Sequence, residues 1–272
     1  MDCKNCHNSL KDTQKFCDEC GAKVIFNRLK PKVIAEQINE EFLSIDNRLL
    51  KTLIHLFTKP NEVINGFING TRKKYIGVIQ YFAIGLTLLG IQVFFMTNIF
   101  NDPDLYKFGL LEEMAKAPGQ ENNPFFNEDL NNADNFNSFQ SLYYTLSIPL
   151  SALSTWISYW VLGIRRFNFT EHLVINLYYG AQVVIISAVI YILFLGLGFN
   201  YFTTSYFVTF LTFIYFFYIL KSVFNTPFWT TIGHYLLVLI ALCLMLFVLM
   251  FLFAIIVFIY VVLNKEQLNI TI

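Results

Sequence analysis

The sequence predicts an all-α protein: a five-span transmembrane helical bundle behind a small N-terminal four-cysteine hairpin. Three observations predict it. Of the 272 residues 56% are hydrophobic and 14% charged, an apolar share above that of an ordinary soluble domain. The charges are unevenly placed, with 13 Lys/Arg against 9 Asp/Glu in residues 1–75, 2 against 8 in residues 101–139, and almost none in the apolar stretches between. Four of the 5 cysteines fall within the first twenty residues. The formal net charge is zero, so the bulk electrostatics advertise no polyanionic partner.

The first span is the uncharged run 76–100, IGVIQYFAIGLTLLGIQVFFMTNIF, long enough as a helix to cross a hydrocarbon core of roughly 30 Å. Four more follow at 142–164, 174–197, 202–220 and 232–263, so the membrane domain occupies 76–263. The last contains neither Pro nor charge and reads as one long helix rather than a hairpin. The acidic, Asn-rich segment 101–139 reads as an external loop with a short helical stretch around Leu110–Ala117.

Cytoplasmic loops are enriched in Lys and Arg, and Arg72, Lys73 and Lys74 stand immediately before the first span. With Arg165, Arg166 and Lys221, the segments assigned inside hold 16 basic residues against 3 outside, Lys107, Lys116 and Lys265. The expected location is therefore the cytoplasmic (inner) membrane, multi-pass, with the N-terminus cytosolic and the C-terminus outside. No charged n-region with an apolar core opens the chain, so the first span is expected to serve as the insertion signal. The richness in Phe, Tyr, Asn, Ile and Lys, which AT-rich codons supply, suggests a bacterial source.

Residues 1–25 carry the strongest chemical signal, Cys3-x-x-Cys6 and Cys17-x-x-Cys20 with ten residues between the pairs. A Cys-x-x-Cys turn aims two sulfurs at one point, and two such turns complete a closed four-thiolate site of the kind that zinc prefers. In a reducing cytosol these thiols should not form structural disulfides, and so short a segment cannot bury a core without a staple. The expectation is a structural zinc ribbon, built as a two-strand hairpin, with Cys3, Cys6, Cys17 and Cys20 as metal ligands. Iron in a rubredoxin-like site is the alternative. Gly21 follows the second pair, where a positive φ is useful, and His7 departs from that pattern after the first pair. Phe16 is expected in the hairpin's small core. Lys4, Lys11, Lys15 and Lys23 are offset by Asp2, Asp12, Asp18 and Glu19, so no nucleic acid partner is expected.

Residues 26–75 read as a cytosolic amphipathic helical linker. A first stretch carries Ile34, Ile38 and Phe42. A second starts at Asp46 as N-cap, with Leu49, Leu50, Leu53, Ile54 and Phe57 forming one stripe opposite Arg48, Lys51, Thr52 and His55, the last read as a solvated surface residue. Pro60 opens a third, with Val63, Ile64, Phe67 and Ile68, ended by Asn69-Gly70. Such segments lie on the membrane surface or pack against the bundle's cytoplasmic end.

The cysteine pairs, then Asn47…Thr52…Leu56…Pro60…Val63, then Gly66 to Tyr75 (GFINGTRKKY) entering the first span, resemble the bacterial membrane family catalogued as domain of unknown function 3667. The likeness covers roughly residues 1–100. It implies a multi-pass bacterial membrane protein with a zinc-ribbon head and no established activity.

Membrane enzymes and ion-coupled transporters keep ionisable groups at depth. Here Glu171, His172 and His234 fall at span starts and read as interfacial, and no nucleophile triad, phosphate loop or His-Glu-x-x-His pattern occurs. Gln80, Gln92, Asn176 and Gln182 are expected to hydrogen-bond between helices. Ser147, Ser151, Ser154 and Ser158 share one helical face, expected to pack against another span. The function expected is a non-enzymatic scaffold or adaptor, with no catalytic and no cofactor-binding residues beyond the metal ligands. Its partners are membrane lipid and a protein engaged through the zinc ribbon or the amphipathic linker. The alternative is a transporter or lipid-handling membrane protein, and a membrane enzyme comes third.

Overall fold

The computed structural model describes residues 2–11, 13–22, 24, 48–100, 102–106 and 140–263, with side chains to Ile255 at the C-terminal end. The expected linker helix around Ile34, Ile38 and Phe42, the Asp46 cap and the Leu110–Ala117 stretch lie outside the described residues. The chain divides into two compact units, Met1–Asn47 and Arg48–Ile272.

The second unit is helical. Residues 48–58 form α1, and Lys59 leaves helical geometry (φ −146, ψ 57) because the residue before a proline is disfavoured there. Pro60 takes the first position of α2, Pro60–Ile68, where its missing N–H is no loss. After Gly70, at φ 98, a turn carries Thr71 to Tyr75 into α3, Val78–Asn98. A 3-10 turn, Pro103–Tyr106, follows, then α4 (Gln140–Val161), α5 (Phe169–Gly196), α6 (Tyr201–Phe224) and α7 (Phe228–Leu263). The last is one continuous helix of 36 residues.

Boundaries differ from the hydropathy reading where a cap decides them. α5 begins at Phe169 rather than near 174 because Asn168 and Glu171 form a capping box, each side chain taking the other's backbone N–H at 2.9 and 2.7 Å. α6 starts behind Asn200, whose Oδ1 accepts the Phe202 N–H at 2.9 Å, and ends at Asn225 in the left-handed region.

Among the described residues four helices are long and apolar enough to cross a membrane: Val78–Asn98, Phe169–Gly196, Tyr201–Phe224 and the part of α7 from Phe228 to Ile255. That criterion shows four of the expected five, and not the second, at 142–164. α4 has the length, 22 residues or about 33 Å, but its serines, threonines and tyrosines lower its mean hydropathy below that of the others.

Contacts order the bundle. Along α3 and α5 the pairs run parallel: Tyr81 donates to Gln182 Oε1, Gly85 abuts Ala181, and Met96 clusters with Tyr191 and Leu195. Along α4 and α5 they run antiparallel, from Ile148 against Gly180 through Ser151–Asn176 (2.6 Å) to Thr155–His172 (3.1 Å). α6 returns antiparallel to α5, with Tyr179 stacked near Tyr215 and Tyr191 on Tyr201. α7 returns antiparallel to α6, where Tyr235 donates to the Phe213 carbonyl at 3.1 Å. α4 also meets α7, through Ser154 Oγ donating to the Val238 carbonyl at 2.7 Å.

The serine face is therefore a packing face, as its spacing predicts. Ser154 and Ser158 are buried, and Ser151 reaches α5. Ser147 instead bonds its own helix at the Tyr144 carbonyl. Of the four amides expected to bridge helices, Asn176 and Gln182 do so. Gln80 is exposed, and Gln92 donates within α3 to Met96 Sδ at 3.3 Å.

α1 does not pack by its predicted stripe, of which Leu49 and Leu53 are half-buried and the rest open, as the membrane-surface alternative allows. Its buried face holds Thr52 and Leu56, whereas Leu50, Ile54 and Phe57 are exposed. Three hydrogen bonds to α1 carbonyls explain the choice: Gln182 to Leu53 at 3.2 Å, Tyr215 to Leu56 at 3.2 Å and Tyr218 to Thr58 at 3.2 Å. His55 is not a solvated residue; its Nδ1 pairs with the Tyr75 hydroxyl at 2.8 Å. α2 follows its prediction, with Val63 and Ile64 buried, and Asn65 Nδ2 donates to the Val223 carbonyl at 3.1 Å. On its open side Lys74 (3.2 Å) and Lys59 (3.4 Å) flank Glu62 and hold its carboxyl below the usual range.

Candidate metal centre

The head is built from two copies of one turn, fourteen residues apart. In the first, Cys3 N–H donates to the Asn8 carbonyl at 2.8 Å and His7 N–H to the Cys3 carbonyl at 2.8 Å. In the second, Cys17 N–H donates to the Ala22 carbonyl and Gly21 N–H to the Cys17 carbonyl, both at 2.9 Å. Each turn needs a left-handed residue after its second cysteine: Gly21 at φ 68 and His7 at φ 62. His7 meets the same backbone demand as Gly21 at a steric cost of about 1–2 kcal/mol. That accounts for the departure at this position, and His7 is a conformational element there.

The expected hairpin is not formed as strands. Among the described residues the head has no β-strand; Asp2 and Ser9 form an isolated antiparallel bridge, and Phe16 is also a bridge residue, beside the Val24 N–H that donates to the Lys15 carbonyl at 2.9 Å. Phe16 is exposed rather than in the core, which consists of Cys3, Leu10 and Cys17 with Cys6, Ala22 and Val24 packed around them.

The turns bring all four sulfurs together. Cys3 Sγ lies 3.6 Å from Cys20 Sγ and Cys6 Sγ 3.5 Å from Cys17 Sγ, and the four Sγ atoms all lie within 4.8 Å of one another. Tetrahedral thiolates at about 2.3 Å from a metal stand about 3.8 Å apart, so this donor set fits one ion. None of the four is in a disulfide.

Backbone amides support the sulfurs. Cys20 is held down to about 6 by the Asn5 side chain and then the Ala22 amide. Cys6 has the equivalent Asn8 amide in favour of its thiolate, yet contact with Cys20 and burial carry it up to about 12. A metal ion would bind the sulfurs as thiolates and displace their protons.

Inside the helical unit the structure joins side chains that the sequence leaves apart. His172, buried, pairs through Nδ1 with Thr155 Oγ1, which also accepts from Asn176 Nδ2 at 3.0 Å. Tyr159 stacks on Phe224 with ring centres 3.8 Å apart and meets His234 edge-on at 5.3 Å and His172 at 5.8 Å. His172 and His234 are therefore not interfacial anchors. They converge on one tyrosine from α5 and α7, and the Tyr159 hydroxyl and His234 Nδ1 are both buried without a hydrogen-bond partner. In the sequence only the places of His172 and His234 near the starts of their helices hint at this meeting.

The apolar helices define a membrane protein, and the head gives it a four-cysteine site able to hold a metal ion. Within it, residues 46–90 match the family described as "Protein of unknown function (DUF3667)", the family that the sequence resembles. The match covers α1, α2, the basic turn and the first part of α3, and leaves the cysteine head outside it. No curated protein and no solved structure matches this chain.

Proposed function

We propose that this chain is a five-span protein of the bacterial cytoplasmic membrane, N-terminus cytosolic and C-terminus outside. Its head holds one structural zinc, and it acts as a non-enzymatic scaffold or adaptor. The observation that carries this reading is where the polar groups inside the bundle go. Ser151, Ser154, Asn176, Tyr178, Tyr179 and Gln182 each hydrogen-bond a group outside their own helix, so they are used for packing rather than for lining a path. The antiparallel run of α4 between α5 and α7 supports a fifth crossing, because the hydroxyls that lower its hydropathy face those helices. A closed four-thiolate set has no open coordination position, which supports a structural rather than catalytic ion. Tetrahedral thiolates suit either zinc or iron, and zinc is chosen here because a structural staple needs no redox chemistry.

The test is affinity purification of the full-length protein beside a Cys17→Ser, Cys20→Ser variant. A partner that comes along in stoichiometric amount and is lost with the cysteines supports the adaptor, whereas recovery of the protein alone in both overturns it. A second reading, an ion-coupled transporter, draws on the convergence of His172 and His234 on Tyr159. Solute uptake by proteoliposomes that is abolished by His234→Gln would favour it.

A further inference from the structure

At the turn between α4 and α5 a cavity of about 220 Å³ is lined by Trp156, Trp160, Ile164, Arg165, Phe167 and Asn168. Its wall is aromatic: Trp156 meets Phe169 edge-on at 6.0 Å, and the Arg165 guanidinium lies 5.7 Å from the Trp160 ring centre. Arg165 is exposed and, among the described residues, makes no ion pair. Its neighbour Arg166 is committed elsewhere, to the Val223 carbonyl at 3.4 Å and the Phe167 ring at 4.8 Å. The single acid in residues 140–263, Glu171, holds the Asn168 N–H in the α5 cap. Among the described residues the rim of the cavity thus has one cation, Arg165, whose contact is the Trp160 ring and not an acid.

Beside it runs an exposed apolar strip of Trp160, Val161, Leu162 and Phe169. In a membrane-spanning chain such a strip meets acyl chains, and tryptophans gather where chains give way to headgroups. A guanidinium pairs well with phosphate oxygens, and basic pockets at cytosolic helix ends suit anionic headgroups.

We propose that this cavity binds an anionic phospholipid of the cytosolic leaflet, with its phosphate at Arg165 and its glycerol end against Trp156 and Trp160. The side of the membrane rests on the five-span topology proposed above, whereas the binding itself does not.

The protein has 3 tryptophans, and replacing exposed Trp229 by Phe leaves Trp156 and Trp160 as the only reporters. The full-length variant is reconstituted in phosphatidylcholine vesicles containing phosphatidylglycerol, with bromine on the acyl chains of one lipid or the other. Brominated phosphatidylglycerol should quench about fivefold more per lipid than brominated phosphatidylcholine, the enrichment that about 1 kcal/mol per basic residue gives. Arg165→Gln should remove the preference, Arg165→Lys should keep part of it, and Lys59→Gln, which removes a cation on α1–α2, should leave it unchanged.

Equal quenching by both lipids overturns the proposal, as does a preference that survives Arg165→Gln. A loss as large with Lys59→Gln means bulk surface potential and overturns it too, and a preference abolished by inorganic phosphate means a site for soluble phosphate. Because the vesicle measurement reads either orientation, a failure of the topology shows in reporter fusions and leaves this result separate.

Discussion

Thr52 Oγ1 accepts the Ile76 N–H at 3.1 Å while donating to the Arg48 carbonyl at 2.7 Å, so one buried hydroxyl closes the start of α3 onto α1. With the His55–Tyr75 and Glu62–Lys74 pairs it makes residues 48–76 a closed unit, and this unit lies inside the family match at 46–90. Replacing Thr52 by Val keeps the shape and removes both bonds, leaving a buried N–H unpaired at a cost of about 1–3 kcal/mol. The variant should unfold at lower temperature in detergent, while Thr52→Ser should stay near the parent. Equal melting of Val and Ser variants would remove the role given to this hydroxyl.

The serine face of α4 yields the next expectation. Ser154 is fully buried between helices and bonded to the Val238 carbonyl, whereas Ser147 bonds its own helix. The substitution Ser154→Leu must overpack the seam and should cost about 1–3 kcal/mol, with Ser147→Leu costing less. Thermal stability reads the difference. A Ser154→Leu protein of parental stability but reduced solute passage would instead reveal a hydroxyl-lined conduit.

What the residues disclose on their own follows physical range. The cysteine pairs are legible because a Cys-x-x-Cys turn is a local object, and the tight approach of four sulfurs follows from two such objects. The uncharged runs are legible because the bilayer sums hydrophobicity along the chain. The start of α5 at Phe169 is missed because Asn168 and Glu171 cap it across four residues that hydropathy averages away. The inward face of α1 is missed for another reason. Thr52 looks polar until Ile76 accounts for its hydroxyl, and Leu56 is set inward by Tyr215, 159 residues away. Nothing local marks the meeting of His172 with His234 at Tyr159, which depends on how three helices pack.

For the head, metal content decides. Detergent-purified protein should carry about one zinc per chain by elemental analysis, and serine at any one of Cys3, Cys6, Cys17 or Cys20 should abolish it without preventing membrane insertion. Retention should be full at neutral pH and fall on acidification, since protons compete for thiolates and release the ion. A folded, metal-free head, or iron in place of zinc, contradicts the assignment.

Orientation is tested by reporter fusions. Fusions near residue 120 and at the C-terminus should report outside, and those near 167 and 225 inside, as expected from 16 inside against 3 outside basic residues. A cytoplasmic C-terminus would mean that the last span is a hairpin or that one span is miscounted, and if α4 is the one that does not cross, the parallel pairing of α3 with α5 fails with it.

Three glycines separate helix propensity from helix approach. A Cβ on Gly90 would meet nothing within 4 Å, so Gly90→Ala should gain up to about 1 kcal/mol from helix propensity alone. A Cβ on Gly85 would lie 3.3 Å from the Ala181 carbonyl oxygen, which belongs to α5 and cannot rotate away. The same substitution there must push α3 from α5, loosening the seam that holds Tyr81 to Gln182, at about 1–3 kcal/mol. Gly180 stands between them: its Cβ would meet Ile148 Cδ1 at 3.1 Å, the end of a side chain with some freedom to turn, though Cγ1 follows at 3.2 Å. The melting temperatures of the three alanine variants should therefore fall in the order Gly90, Gly180, Gly85, with Gly90→Ala at or above the parent. If Gly85→Ala proves as stable as Gly90→Ala, α3 and α5 do not pack at the distance described, and the parallel pairing built on Tyr81, Gly85 and Met96 fails with it.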